Sequence, residues 1–248
     1  MYYYIFEPPL EAKEYERTAQ IKEYLSTLGI AGEMVTPTQA RTVEDLVNLA
    51  VAKRYSTVIA VGTMELINQV ARALEPFDVV FGIIPTKDNP DITRLIGAAT
   101  WKDAADQLKR RRWLPVRLGL LNGSLCFLTP ATIFLADSTH FTLTCDDFTA
   151  QGSGGTITVS PLRGGELEES SLLVEITRKP RRRNLLGSLF GQRPEGPTES
   201  RFDLPSFELT TSDPAPVNVA GTDLCSTPVR CEPQEKAVKL IVAKAGEL

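Results

Sequence analysis

The segment from Thr57 to Gly97 most restricts what this chain can fold into. Thr57–Val61 is a continuous apolar, β-rich run, the pattern of a parallel strand buried on both faces. Val79–Ile84 repeats it and is stopped by Pro85. Between the two, Ile67, Val70, Ala71 and Leu74 recur at spacings of three, four and seven, which draws one apolar stripe on a helix. Strand, helix and strand in that order require a right-handed crossover and a doubly wound sheet. In such sheets ligands sit at the carboxyl ends of the strands, so Gly62–Thr63 and the turn after Pro85 are where a site belongs.

The flanking sequence extends this pattern. Tyr2–Phe6 reads as a strand ended by Pro8 and Pro9, and Glu11–Leu28 as a helix with Gly29 at its C-terminal cap. A short strand is expected at Met34-Val35. Thr42-Val43-Glu44-Asp45 has the form of an N-terminal capping sequence. Trp101–Arg112 reads as a helix whose basic KRRR end suits the helix dipole. From Val116 the pattern changes to short strands at 117–121, 125–128, 132–135, 141–145, 156–159, 172–177, 207–210, 217–219, 228–231 and 237–242. This predicts an α/β domain over residues 1–114 and an all-β sandwich over 115–248. Gln151–Gly155 is read as a flexible turn.

The 248 residues carry 42% apolar side chains and a formal net charge of −4, enough for a sizeable core and no global field for nucleic acid. No apolar run approaches the roughly 20 residues of a spanning helix, and no secretory leader is evident. The four cysteines lack metal spacing and suit a reduced, cytoplasmic protein; no metal site is expected. With His140 the only histidine, histidine triads are nearly excluded. Arg178–Phe190 joins basic residues to Leu185, Leu186, Leu189 and Phe190, a composition suited to an anionic lipid surface and a peripheral membrane location. Exposed β-edges in the second domain suit a homodimer.

Several stretches together resemble the diacylglycerol kinase family, more narrowly the soluble bacterial lipid kinases, whose fold is shared with sphingosine kinases and NAD kinases. VIAVGTMELINQVARAL aligns without a gap with that family's VxVxGGDGTxNEVxNGL, through Val58, Ile59, Val61, Gly62, Asn68, Val70 and Leu74. GIIPTKDNPDITRLIG aligns with GIIPLGTGNDFAR-x-LG, matching Gly82 to Pro85, Asp91, Arg94 and Gly97. PVNVAGTDLCSTPV looks like PVQVDGEPLGSTPV, and WLPVRLGLLNGSLCFL resembles the strand VDLGxVNGxxFL. The resemblance implies a nucleotide-binding N-terminal domain using ATP and magnesium. It places the nucleotide site on Gly62, Thr63, Glu65, Asn68, Thr86, Lys87, Asp88, Asp91 and Arg94.

The departures concern chemistry. Thr63, Met64, Glu65 and Leu66 stand where the family has Gly, Asp, Gly and Thr, and those glycines let backbone amides approach phosphates. Lys87–Pro90 replaces the turn GTGN; Lys87 keeps a point charge while Pro90 removes a donor. The family's general-base aspartate lies in a segment that aligns with Glu169–Val174, where serines replace the acids. Glu168 and Glu169 lie nearby, and Asp223 follows the position of a further lost acid at Ala220-Gly221-Thr222. Arg117 replaces another aspartate, and no helical lid is evident between Leu128 and Ser160. The reading is a lipid-kinase-like protein with a degenerate ATP site that binds or regulates without catalysis. The alternatives are an active ATP-dependent lipid kinase, acting on diacylglycerol or a sphingoid base, and a peripheral membrane-binding module.

Overall fold

The computed structural model describes residues 1–146, 148–161, 171–178 and 198–243. The N-terminal half runs β1 (Tyr2–Phe6), α1 (Ala12–Thr27), β2 (Glu33–Val35), α2 (Val43–Ala52), β3 (Thr57–Gly62), α3 (Met64–Leu74), β4 (Val80–Pro85), α4 (Pro90–Ile96) and α5 (Trp101–Arg110). Its strands are parallel in the order β2-β1-β3-β4. Every residue of β3 and β4 is buried, because helices cover both faces. Val58 and Ala60 point into a core with Leu46 of α2 and Ile67, Val70 and Leu74 of α3. Ile59 and Val61 point the other way, against Ile21 and Leu25 of α1 and Trp101 and Leu108 of α5. Burying each such aliphatic side chain contributes about 1.5–3 kcal/mol.

Local chemistry sets the helix boundaries. Thr42 and Thr100 form capping boxes with Asp45 and Asp103, each pair satisfying two backbone donors reciprocally. Gly29 follows α1 at φ +72°, a conformation that side chains resist. Helix α5 is shorter than expected. Arg111 turns into the left-handed region and its guanidinium donates to the Ser56 carbonyl (3.2 Å), which ends the helix at Arg110.

The β-rich half comprises β5 (Trp113–Leu121), β6 (Leu125–Phe127), β7 (Ala131–Thr144), β8 (Thr149–Pro161), β9 (Leu172–Arg178), β10 (Thr198–Leu204), β11 (Phe207–Thr211), β12 (Pro216–Val219), β13 (Thr222–Ser226) and β14 (Val229–Ile241). Its core gathers Leu121, Phe127, Ile133, Leu143, Ile157, Val174 and Leu209. Gln151–Gly155 is not a turn but the middle of β8, paired to β7 from Thr142↔Gln151 to Leu135↔Gly155 across a register shift. The runs 132–135 and 141–145 fall on one long strand, β7, which ends at Thr144, and those at 228–231 and 237–242 on β14, with Pro228 and Val242 flanking it. Strand β14 joins the halves. It pairs antiparallel with β11 at Cys231 and parallel with β4 at Lys239–Leu240.

The four cysteines are free. Cys231 is fully buried in the β-rich core, and burial pushes its thiol from 9.0 up to about 12. An acid raised on folding contributes stability in full below its unfolded value and loses it as the pH climbs toward the folded value. The stability difference between wild type and Cys231→Ala should therefore narrow above pH 9, by up to about 1.4 kcal/mol per pH unit. Urea midpoints at pH 7.5 and 10 would check this, and an unchanged gap would contradict it.

Candidate functional site

From β1 the chain runs outward to β2, then crosses back to β3. The strand order therefore reverses between β1 and β3, and a crevice opens at their carboxyl ends. It measures about 370 Å³ and is lined by Glu7, Pro8, Glu14, Arg17, Thr86 and Lys87 among others. Gly62 ends β3 opposite Pro85, the last residue of β4, so both turns singled out in the sequence lie side by side. The Thr86 N–H donates to the Gly62 carbonyl (3.2 Å) and ties them together.

The decisive side chain is Glu7, the residue after β1. Its backbone N–H continues the sheet by donating to Val61 (2.9 Å). Its carboxylate then turns onto the start of α3. One oxygen accepts the Thr63 N–H (2.6 Å) and the other the Thr63 hydroxyl (2.7 Å). Thr63 is the N-cap residue, yet its side chain makes no cap hydrogen bond within the helix; it donates to Glu7 instead. Gly62 makes this approach possible. A Cβ there would lie 2.8 Å from both Glu7 Cβ and Glu7 Oε2. A helix N-terminus attracts negative charge through its unpaired amides and its dipole, and here the chain supplies that charge itself.

Lys87, on the crevice wall, is also taken. Lys87 forms an ion pair with Glu14 of α1 (3.1 Å), and Glu14 accepts the Leu10 N–H as well (2.8 Å). The Leu10 N–H and then Lys87 hold the Glu14 carboxyl below its usual range, while Glu14 raises the Lys87 ammonium. Both groups are open to solvent, so the pair is weak in stability terms. The point charge expected of Lys87 thus meets an anion of the same chain.

The remaining expected residues divide by position. Thr86 and Asp88 line the crevice. Glu65 is exposed on α3 and accepts from Gln69 (3.3 Å). Met64 is half-buried against the core, and Leu66 is buried within it, so neither fills the crevice. Asp91 and Arg94 lie on α4, outside the crevice lining, with Arg94 exposed. Pro90 occupies the first turn of α4, where its missing N–H has no helical partner to lose, and Asn89 caps Asp91 and Ile92 (2.9 and 3.2 Å).

Asn68 faces away from the crevice. It is buried at the junction of the two halves, donating to Met64 O (2.9 Å) and Thr129 Oγ1 (2.6 Å) and accepting from Leu128 N (2.8 Å) and Thr129 N (3.2 Å). Asp223 accepts from Asn218 on the β12–β13 hairpin (2.8 Å) and is exposed. Glu168 and Glu169 lie outside the described residues. Among those described, no three acidic, histidine or cysteine side chains converge on a possible cation position. Sequence reasoning missed Glu7, Glu14 and Arg17. Glu7 carried a usable signal, since it follows a strand at the same end of the sheet as Gly62.

No protein-family model matches the chain, and no curated protein does. Solved structures do. A candidate diacylglycerol kinase from Bacillus anthracis strain Sterne matches with a TM-score of 0.71 at 14% identity over 98% of each chain. A diacylglycerol kinase from the same strain gives 0.69 at 15% identity, over 98% of this chain and 97% of that one. Yeast NADH kinase in complex with NADH gives 0.57 at 8% identity, over all of this chain and 84% of that one. At these identities the likeness is one of architecture. This chain has the fold shared by bacterial diacylglycerol kinases and yeast NADH kinase: an α/β layer joined to a β-rich part.

Proposed function

We propose that this is a cytoplasmic, lipid-kinase-like protein that has kept the kinase scaffold and lost phosphoryl transfer, serving as a binding or regulatory protein. The observation that carries the reading is the Glu7 carboxylate on the N-terminus of α3. In the kinases this chain resembles, the corresponding glycine-rich turn offers its amides to ATP. Here the Thr63 amide and hydroxyl are both given to Glu7. A unit negative charge held about 4 Å from another costs about 4 kcal/mol at an effective dielectric of about 20, nearly three orders of magnitude in affinity. The residues present therefore do not fit a nucleotide phosphate at this turn.

Phosphoryl transfer rests on positioning and charge stabilisation. With the phosphate turn closed by Glu7 and Lys87 paired to Glu14, the described crevice supplies little of either. The reduced cysteines suit the cytoplasm. The test is a titration with ATP, with and without magnesium, together with a search for radiolabelled product on diacylglycerol and sphingoid-base acceptors. No saturable binding below about millimolar ATP is expected, nor any product. Micromolar binding with turnover would replace this reading with that of an active lipid kinase.

A further inference from the structure

A second concavity lies in the β-rich part, on the seam of β7, β8 and β9. It is an open groove of about 510 Å³, lined by His140, Phe141, Gln151, Gly152, Ser153 and Arg178 together with a threonine of β7. Its construction is unusual. Strand β8 passes through it with Gly154 at φ +62° and Gly155 at φ +98°, beside the register shift against β7. Arg178, the last residue of β9, leans back across β8 over this irregularity. A Cβ on Gly152 would lie 1.7 Å from Arg178 Nη2 and 2.7 Å from the Phe141 ring. The guanidinium carbon stands 5.7 Å from the centroid of that ring, which is buried.

The glycine notch and the aromatic floor hold the guanidinium in place, yet it makes no hydrogen bond or ion pair among the described residues. That is uncommon in a chain with 31 acidic side chains against 27 basic ones. Among the described residues, no carboxylate lines the groove. Asp137, packed against Gly154, stands outside the lining. What surrounds Arg178 instead is an imidazole, an amide and a hydroxyl, all able to donate. A fixed planar fork beside neutral donors matches an oxyanion, which accepts two parallel N–H bonds from one face.

We infer that the groove between His140, Ser153 and Arg178 binds a phosphate-type oxyanion, with the Arg178 guanidinium as its anchor. The site is separate from the α3 end and stands whether or not ATP binds there. Two sources offer this chemistry: a free phosphate group and the headgroup of an anionic lipid. From Arg178 the sequence continues Lys-Pro-Arg-Arg-Arg, residues outside the described set.

The experiment uses the full chain, wild type and the variants Arg178→Ala, Arg178→Lys and Gly152→Ala. Each is titrated with inorganic phosphate by calorimetry. Each is also co-sedimented with phosphatidylcholine vesicles, with and without about one third phosphatidylglycerol. Wild type is expected to bind at least one of the two probes, and Arg178→Ala to weaken that binding about tenfold. Gly152→Ala should weaken it comparably, because its methyl group displaces the guanidinium without removing a charge. Where Gly152→Ala also lowers the melting temperature, Arg178→Lys carries the comparison, since it keeps the charge and loses the fork. Phosphate binding without vesicle binding identifies a soluble ligand; vesicle binding that needs phosphatidylglycerol identifies a headgroup. Either outcome supports the site. Absence of binding to both probes overturns it. So does binding that survives Arg178→Ala, or that falls in Arg178→Ala but persists in Gly152→Ala and Arg178→Lys, since charge alone would then suffice.

Discussion

Replacing Asn68 with alanine is expected to lower the unfolding free energy by about 3–5 kcal/mol, because it strips a fully used amide from a buried junction. Asn68 is 1% exposed and uses both ends of its side chain. Removing it orphans the amides of Leu128 and Thr129, at 2% and 1% exposure, and releases Met64 O and the Thr129 hydroxyl. Each unsatisfied buried donor costs about 1–3 kcal/mol, and water cannot readily enter to repair it. For a chain of this size the melting temperature should fall by about 10 °C. Asn68→Asp should be milder, since it keeps the acceptor for the two amides. A loss below about 1 kcal/mol in Asn68→Ala, measured by calorimetry, would show that the junction relaxes around the gap. The position also explains how a residue that aligns with a nucleotide-site motif is retained where Thr63–Leu66 departs from it: Asn68 fastens α3 to the loop between β6 and β7.

Gly155→Ala is the second large effect. At φ +98° a side chain is strained by about 1–3 kcal/mol. Its Cβ would also stand 2.5 Å from the Thr177 carbonyl oxygen of β9, a backbone atom that cannot swing aside. Together these should destabilise the protein by about 2–4 kcal/mol. The damage should concentrate on the β8–β9 pairing, seen as faster hydrogen exchange at Ile157 and Ile176, which face each other there. Gly123→Ala offers the contrast. Its φ of +70° carries conformational strain, but nothing lies within 4 Å of its Cβ, so its cost should be smaller. Equal losses at the two positions would mean that contact with β9 contributes nothing.

The α/β half was legible because its signals are local. Buried parallel strands announce themselves as unbroken apolar runs, and the stripe Ile67, Val70, Ala71, Leu74 fixes which side of α3 meets the sheet. Thr42 and Asp45 lie three residues apart, within reach of any pattern reading. The β-rich half yields less, since its order depends on pairing across distance. Strand β10 (TESRFDL) is a mostly polar edge strand whose only large apolar residues are Phe202 and Leu204, and β13 is half exposed; neither was expected. The glycines at 152–155 have turn composition, but they serve a kinked strand on which Arg178 rests.

The site shows the same division. Its location followed from the sheet rule and the Gly62 and Pro85 turns. Its occupant did not, because Glu7 and Thr63 stand 56 residues apart and Glu7 sits before a Pro-Pro pair that reads only as a strand end. The aligned motifs pointed to Thr63–Leu66 as departures from the family's glycine-rich turn. Only the fold showed that the Glu7 carboxylate accepts the amide and hydroxyl of Thr63 at that turn.

That carboxylate is open to direct test through the Thr63 amide. In ¹⁵N-labelled wild-type protein, the Thr63 resonance should stay in place as pyrophosphate or ATP is raised to about millimolar concentration, because its hydrogen is already held by Glu7. In Glu7→Ala the same resonance should move saturably, with binding tighter by one to three orders of magnitude, as expected from removing the like charge. A saturable shift of Thr63 in the wild-type protein at micromolar ATP would contradict the account, since it would mean that Glu7 yields to the nucleotide.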